Sequence, residues 1–184
     1  MLKLMEAPEA FISLPEAKAH LHVSHTRDDT MIEAQILAAI AFLDGPSGYL
    51  GCAIAAQKWE WKTGAFIDPL RVPLGPILSI EALSYLDPEG TTVSMDLSTA
   101  YLFGDARSPY LRPIGQWPSE VSSRDDAITL EFMAGRAEVP PQLKSAALLI
   151  VGQLYRHREI DVDVRNFPTS FSAMDLAHPY RASV

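Results

Sequence analysis

The hydrophobic period of this chain changes twice, and those changes constrain its fold more than any single motif. Up to Ala56 apolar residues recur at helical spacing, from Gln57 they alternate, and after Val139 the helical spacing returns. A helix offers one apolar stripe and a strand one apolar face, so each block needs its own way of closing a core. Blocks of helix, strands and helix, without βαβ alternation, point to an α+β fold. We expect a small bundle of about three main helices, with a β-rich insertion and an extended C-terminal tail. The boundaries follow the period: N-terminal helices over 1–56, the β-rich insertion over 57–138, a long core helix over 139–160 that completes the bundle, and the tail over 161–184.

Local signals support each block. In "SLPEAKAHLHV", Ser13 and Glu16 stand at capping-box spacing and Pro15 falls in the first turn, which predicts a short helix ending near His22–His25. Thr26 or Asp28 is placed to cap a second, longer helix whose stripe is Ile32, Ile36, Ala39, Ile40 and Leu43. "DGPSG", Asp44 to Gly48, ends it, with helix-friendly residues again at Ala53 to Ala56. "KWEWKT" then sets Trp59 and Trp61 on one strand face. "DPEG", Asp87 to Gly90, reads as a hairpin turn between "ILSIEALSYL" and "TTVSMDL". "AYLFG" and "SPYLRP" predict short strands, and "AITLEFMAG" alternates through Ile128, Leu130 and Phe132. In the last long helix Leu143, Ala146, Ala147, Ile150, Val151 and Leu154 cover an arc too wide for an exposed helix, and Leu143, Ile150, Val151 and Leu154 are expected to be buried. After Glu159 no period is sustained, although "SAMDLA" behind Ser172 can form one or two turns.

Composition narrows the function. With 184 residues the chain can bury a core without a disulfide or metal staple, and its one cysteine, Cys52, cannot form an internal disulfide, which fits a reducing compartment. No apolar stretch is long enough to span a bilayer, and Glu6 and Pro8 interrupt the N-terminus where a signal peptide would be apolar, so neither membrane nor export is expected. Fifteen basic residues face 23 acidic ones, for a net charge of -8, which argues against a dedicated nucleic-acid binder.

Candidate chemistry is sparse. His20, His22 and His25 stand near Asp28 and Asp29, but on a helix His20 and His22 diverge, so a polar helix end is expected and no metal. Cys52, in "YLGCAIA", has no base beside it and reads as a small buried thiol. Asp125 and Asp126 lie in "SSRDDA", a solvated loop. No nucleophile motif, phosphate-binding loop or dinucleotide fingerprint is present, so no catalytic residue and no cofactor are expected. Tyr155, Arg156, His157, Arg158 and Glu159 are consecutive and point all round their helix, the opposite of a convergent site. They read as a charged collar, free to make salt bridges to another subunit.

Taken in order, these segments resemble the head–tail connector (adaptor) proteins of tailed bacteriophages and gene transfer agents. The likeness runs from about Leu14 to Tyr180 through "SLPEAKAHLHV", "DDTMIEAQILAAIAFLD", the Trp59 strand, "VPLGPILSIEALSYLDPEG", Trp117-Pro118, "ITLEFMAG" and "VPPQLKSAALLIVGQLYRHRE". Two positions depart from the family pattern: Arg136 stands where an aromatic is usual, and the helix end reads Tyr-Arg-His-Arg-Glu. The resemblance implies a non-enzymatic structural protein of a particle neck, assembled in the bacterial cytoplasm. It implies a homo-oligomeric ring of roughly a dozen copies. The ring would sit beneath a portal protein, extend the DNA channel without sequence-specific binding, and dock the next tail or stopper component. The partner-facing residues expected on this basis are Arg156, Arg158, Glu159, Arg165, Phe167, Phe171, Tyr180 and Arg181, with the tail aromatics as anchors. The rival expectation is an α+β small-molecule-binding domain or enzyme with a pocket between helices and sheet.

Overall fold

The structure is a computed structural model that describes residues 1–104, 108–156 and 172–182. The described residues form a mixed α+β protein with four α-helices and two antiparallel sheets. The elements run β1 (Leu2–Glu6), α1 (Leu14–Leu21), α2 (Asp29–Leu43), β2 (Gln57–Thr63), β3 (Leu70–Arg71), β4 (Ile77–Leu86), β5 (Thr92–Ser94), β6 (Ala100–Phe103), β7 (Tyr110–Pro113), β8 (Ile128–Ala134), α3 (Pro141–Arg156) and α4 (Ala173–Ala177). They gather into two compact units. One is β-rich and comprises Met1–Glu9, Cys52–Ala137 and Ala182; the other is helical and comprises Ala10–Gly51 with the described residues of 138–181.

In the β unit the larger sheet has the order β1-β2-β8-β4-β5 and the smaller one β3-β7-β6. Strand β8 is central and alternates as its sequence demands: Ile128, Leu130, Phe132 and Ala134 are buried, and the residues between them are half-buried. Trp59 and Trp61 of β2 pair with Phe132 and Leu130, putting both tryptophans over the same apolar face. Leu70 of β3 and Leu111 of β7 join this cluster, so the two sheets share one core. Strand β4 does not alternate cleanly, because its register against β8 shifts between Ile77 and Ser79 and again between Ile80 and Ala82. The Asp87–Gly90 turn closes the β4–β5 hairpin, with the Gly90 N–H donating to the Asp87 carbonyl at 3.0 Å and Gly90 at φ 86°.

Four sequence expectations need correction. Residues 1–56 are not all helical: Leu2–Glu6 is an edge strand antiparallel to β2, and the first nine residues belong to the β unit. Its period-2 pattern, "LKLME", is too short to announce a strand, and a partner distant in sequence supplies the ladder bonds. Ala53–Ala56 is extended, not helical. The Ala53 N–H donates to the Gly75 carbonyl, and Ala55 bridges Arg136 in parallel. That approach is so close that a Cβ on Gly135, at φ 113°, would lie 2.0 Å from the Ala55 carbonyl oxygen. The expected face of α3 is also less completely covered than expected: Leu143, Ala146, Ala147 and Val151 are buried, but Ile150, on the same face, is half-buried and Leu154 is exposed. Finally, the extended-tail expectation does not hold for residues 173–177, where the turns foreseen behind Ser172 form and pack on the helical unit. Ala173–Ala177 forms α4 behind a Ser172–Asp175 capping box and packs on α3 with Ala177 fully buried.

The helical unit is otherwise as its sequence predicts. Ser13 caps α1, accepting from the Glu16 N–H while the Glu16 carboxylate accepts from the Ser13 N–H. All five residues of the α2 stripe, Ile32, Ile36, Ala39, Ile40 and Leu43, are buried. Helix α2 packs on α3, and α1 packs on both. The Tyr155 hydroxyl, at the end of α3, donates to Asp28 Oδ2 at 2.6 Å, at the start of α2, so the two helices run antiparallel. Asp28 is the N-cap of α2, but its carboxylate makes this tertiary bond and no cap bond.

Candidate assembly surfaces

The histidines do not converge. His20 is on α1 beside Gly152 of α3, where a Cβ would come 3.6 Å from its Nε2. His22 is past the helix end, in the left-handed conformation at φ 56°. Among the described residues no group of three or more His, Cys, Asp or Glu side chains is arranged to hold a metal ion. Cys52 is buried at 2% exposure. Asp126 is held in a surface fork by Arg124, with nitrogen–oxygen distances of 2.8 and 2.9 Å, and that guanidinium lowers its carboxyl pKa. Among the described helices none is long and apolar enough to cross a membrane.

Of the eight residues expected to face partners, three are described. Arg156 is the last residue of α3 and is exposed. Tyr180 and Arg181 are occupied within their own unit: the Tyr180 hydroxyl donates to Gln142 Oε1 at 3.0 Å, and the Arg181 guanidinium lies 5.2 Å over the Tyr49 ring. Arg158, Glu159, Arg165, Phe167 and Phe171 fall outside the described residues, as does His157 of the charged collar. Arg136, one of the family departures, is a structural residue. Its Nη1 donates to the Ala53 carbonyl at 3.1 Å and its backbone N–H to the Ile54 carbonyl at 2.9 Å, holding the segment before β2. Trp117 likewise stacks on Phe66 with ring centroids 4.7 Å apart, inside the β unit.

The surfaces that sequence reasoning missed are apolar and open. On α2, Leu37 is 62% and Phe42 52% exposed, and Ala34, Ala38 and Ala41 beside them are exposed too. On the small sheet, Tyr101 and Phe103 of β6 stand exposed on one strand face, and Phe103 stacks on Tyr110 of β7. The signal for the first was present: α2 has no charged residue after Glu33, so it is apolar on both sides.

No family model matches the chain, and no curated protein matches it in sequence. Solved structures do. It is similar to a chain in the neck of an empty gene transfer agent (GTA) particle computed with C6 symmetry, at TM-score 0.81 and 21% identity, covering 100% of this chain and 96% of that one. A chain in the virion of a native GTA particle matches at TM-score 0.81 and 20% identity, with the same coverage. A third, in the neck of a native GTA particle computed with C12 symmetry, matches at TM-score 0.74 and 19% identity. The fold is therefore that of GTA neck and virion chains over its whole length. The resemblance read from the order of segments is thus matched, at the level of the fold, by chains of GTA particles.

Proposed function

We propose that this chain is a structural subunit of a phage-like particle neck: an adaptor that forms a ring beneath the portal, extends the DNA channel and carries the next tail component. The observation that supports it most is the end-to-end likeness to chains of GTA necks, 100% of this chain against 96% of that one. The C6 and C12 symmetry of those necks suits a closed ring. A cyclic ring repeats one heterologous contact, so each subunit needs two different surfaces, and the open apolar face of α2 and the charged end of α3 supply different ones. The net charge of -8 suits a conduit, since DNA binds tightly where Lys and Arg neutralise its phosphates. For Arg158, Glu159, Arg165, Phe167 and Phe171 we retain the docking role that the resemblance implies, whereas Tyr180 and Arg181 serve the fold first. The reading assigns the chain no catalytic step and no cofactor. Deleting the coding sequence in the cell that makes the particles tests it. DNA-filled heads without tails, restored by the wild-type chain, are expected; tailed, infectious or gene-transferring particles at normal yield would contradict it.

A further inference from the structure

We propose that the outer face of α2 is the contact between neighbouring copies of this chain, and that it receives the exposed face of α3 from the next subunit. The inference rests on the neck-ring reading and names the surfaces that would build the ring.

The first observation is that α2 is apolar on both sides while only one is covered. Its 15 residues include two charged ones, Asp29 and Glu33, both in the first half. The covered side is the Ile32–Leu43 stripe of the core; the open side is Ala34, Leu37, Ala38, Ala41 and Phe42. A helix apolar all round belongs inside a larger body. The three alanines leave room for a close helix–helix approach, and Leu37 and Phe42 are the side chains that would fill it. An open patch of this kind marks an interaction site.

The second observation selects the occupant. Helix α3 is buried along Leu143, Ala146, Ala147 and Val151, and its open side carries Leu149, 38% exposed, followed by Gln153 and the exposed Arg156. The Tyr155–Asp28 bond fixes α3 antiparallel to α2 in the same subunit. In a ring of twelve, neighbours differ by a rotation of about 30°, so a helix direction changes by at most that from copy to copy. The α3 of the next subunit therefore also runs antiparallel to α2. That direction brings its Arg156 to the end of α2 that carries Glu33, and its Leu149 to the level of Ala34 and Leu37. An exposed cation meets an exposed carboxylate at one end, and apolar meets apolar along the rest. The contact is heterologous, as ring closure requires, and α2 against α2 of a second copy would set Glu33 against the same acidic surface.

The test uses the full-length chain. Two variants that each add one cysteine, Leu37→Cys and Leu149→Cys, are made on chains with tags of different size; native Cys52 is buried and does not compete. On mixing and mild oxidation, the disulfide product should be the mixed dimer, with little Leu37–Leu37 product. Leu37→Arg should weaken self-association at least tenfold or so, as removal of an interface anchor does. It should leave the melting temperature of the monomer unchanged, because Leu37 is open to solvent within the subunit. Glu33→Lys and Arg156→Glu should each weaken association, and the pair together should restore it. If rings form but the mixed disulfide is absent and Leu37→Arg has no effect, this contact is wrong while the neck reading stands. If Leu37→Arg lowers the monomer's melting temperature and leaves association intact, the face is covered by its own chain and the proposal is overturned. A wild-type chain that neither assembles nor cross-links overturns the contact, and failure of the deletion experiment separately overturns the neck reading.

Discussion

At the start of α1, two side chains do two jobs each. Ser13 Oγ accepts from the Glu16 N–H, and Glu16 accepts from both the Ser13 N–H and its hydroxyl. The backbone N–H of Ser13 is the larger reason the Glu16 carboxyl sits below its ordinary pKa, with the Ser13 hydroxyl second. A depressed carboxyl pKa stabilises the fold above the unfolded value, about 4.3 for Glu, and that contribution is lost as pH falls through the folded value. Glu16→Gln should therefore lower stability at neutral pH, and the gap to wild type should close in acid, as followed by thermal melts from pH 7 to pH 3. Ser13→Ala should cost about 1 kcal/mol in denaturant titrations. Both residues were legible in the sequence, since a capping box is purely local. Gly135 was not: its need for φ 113° and for the absence of a Cβ comes from the Ala55 carbonyl, which no local pattern reveals. Gly135→Ala should destabilise by more than about 2 kcal/mol, because strain and a backbone clash act together. A loss within about 0.5 kcal/mol would mean that the bridge to Ala55 is not formed.

At the scale of elements, legibility depended on whether an element's partner lies nearby. The α2 stripe and the alternation of β8 were read correctly because amphipathic period is set by one dominant face. Strand β1 was not, because five residues of weak alternation become a strand only when β2 supplies the ladder. The cover over α3 was overestimated for a related reason. Apolar residues on a helix show that a face will be covered but not by what, and Ile150 and Leu154 share the arc of Leu143 and Ala147 yet stay half-buried and exposed. Leu143→Ala should therefore cost about 2–5 kcal/mol, as full burial implies, and Ile150→Ala distinctly less. Equal losses in denaturant unfolding would show that Ile150 is core after all. The C-terminus divides. The turn behind Ser172 was legible from its local cap, but the packing that buries Ala177 and brings Tyr180 to Gln142 was not. Ending the chain at residue 171 should lower the melting temperature on the order of 5 °C. An unchanged melt would restore the view that these residues serve partners alone.

At the scale of the whole molecule, the chain is built from two discontinuous units, with the first nine residues completing the sheet of a unit that resumes at Cys52. Sequence order conveyed the helical and β blocks but not this crossing, because strand pairing across long separations leaves no local trace. The open apolar surfaces were the least legible part. Charged and aromatic residues drew attention to the last third of the chain, where the Tyr180 hydroxyl also bonds Gln142 and Arg181 also lies over Tyr49. The open face of α2 was hidden by its own apolar character, since Leu37 and Phe42 look like core until burial is known. The most direct test of the central claim is cryo-electron microscopy of the neck of particles from cells producing this chain. The account predicts a closed ring of this fold between portal and tail, with α2 of each copy facing α3 of the next. A complete neck in which no density fits this chain would contradict it.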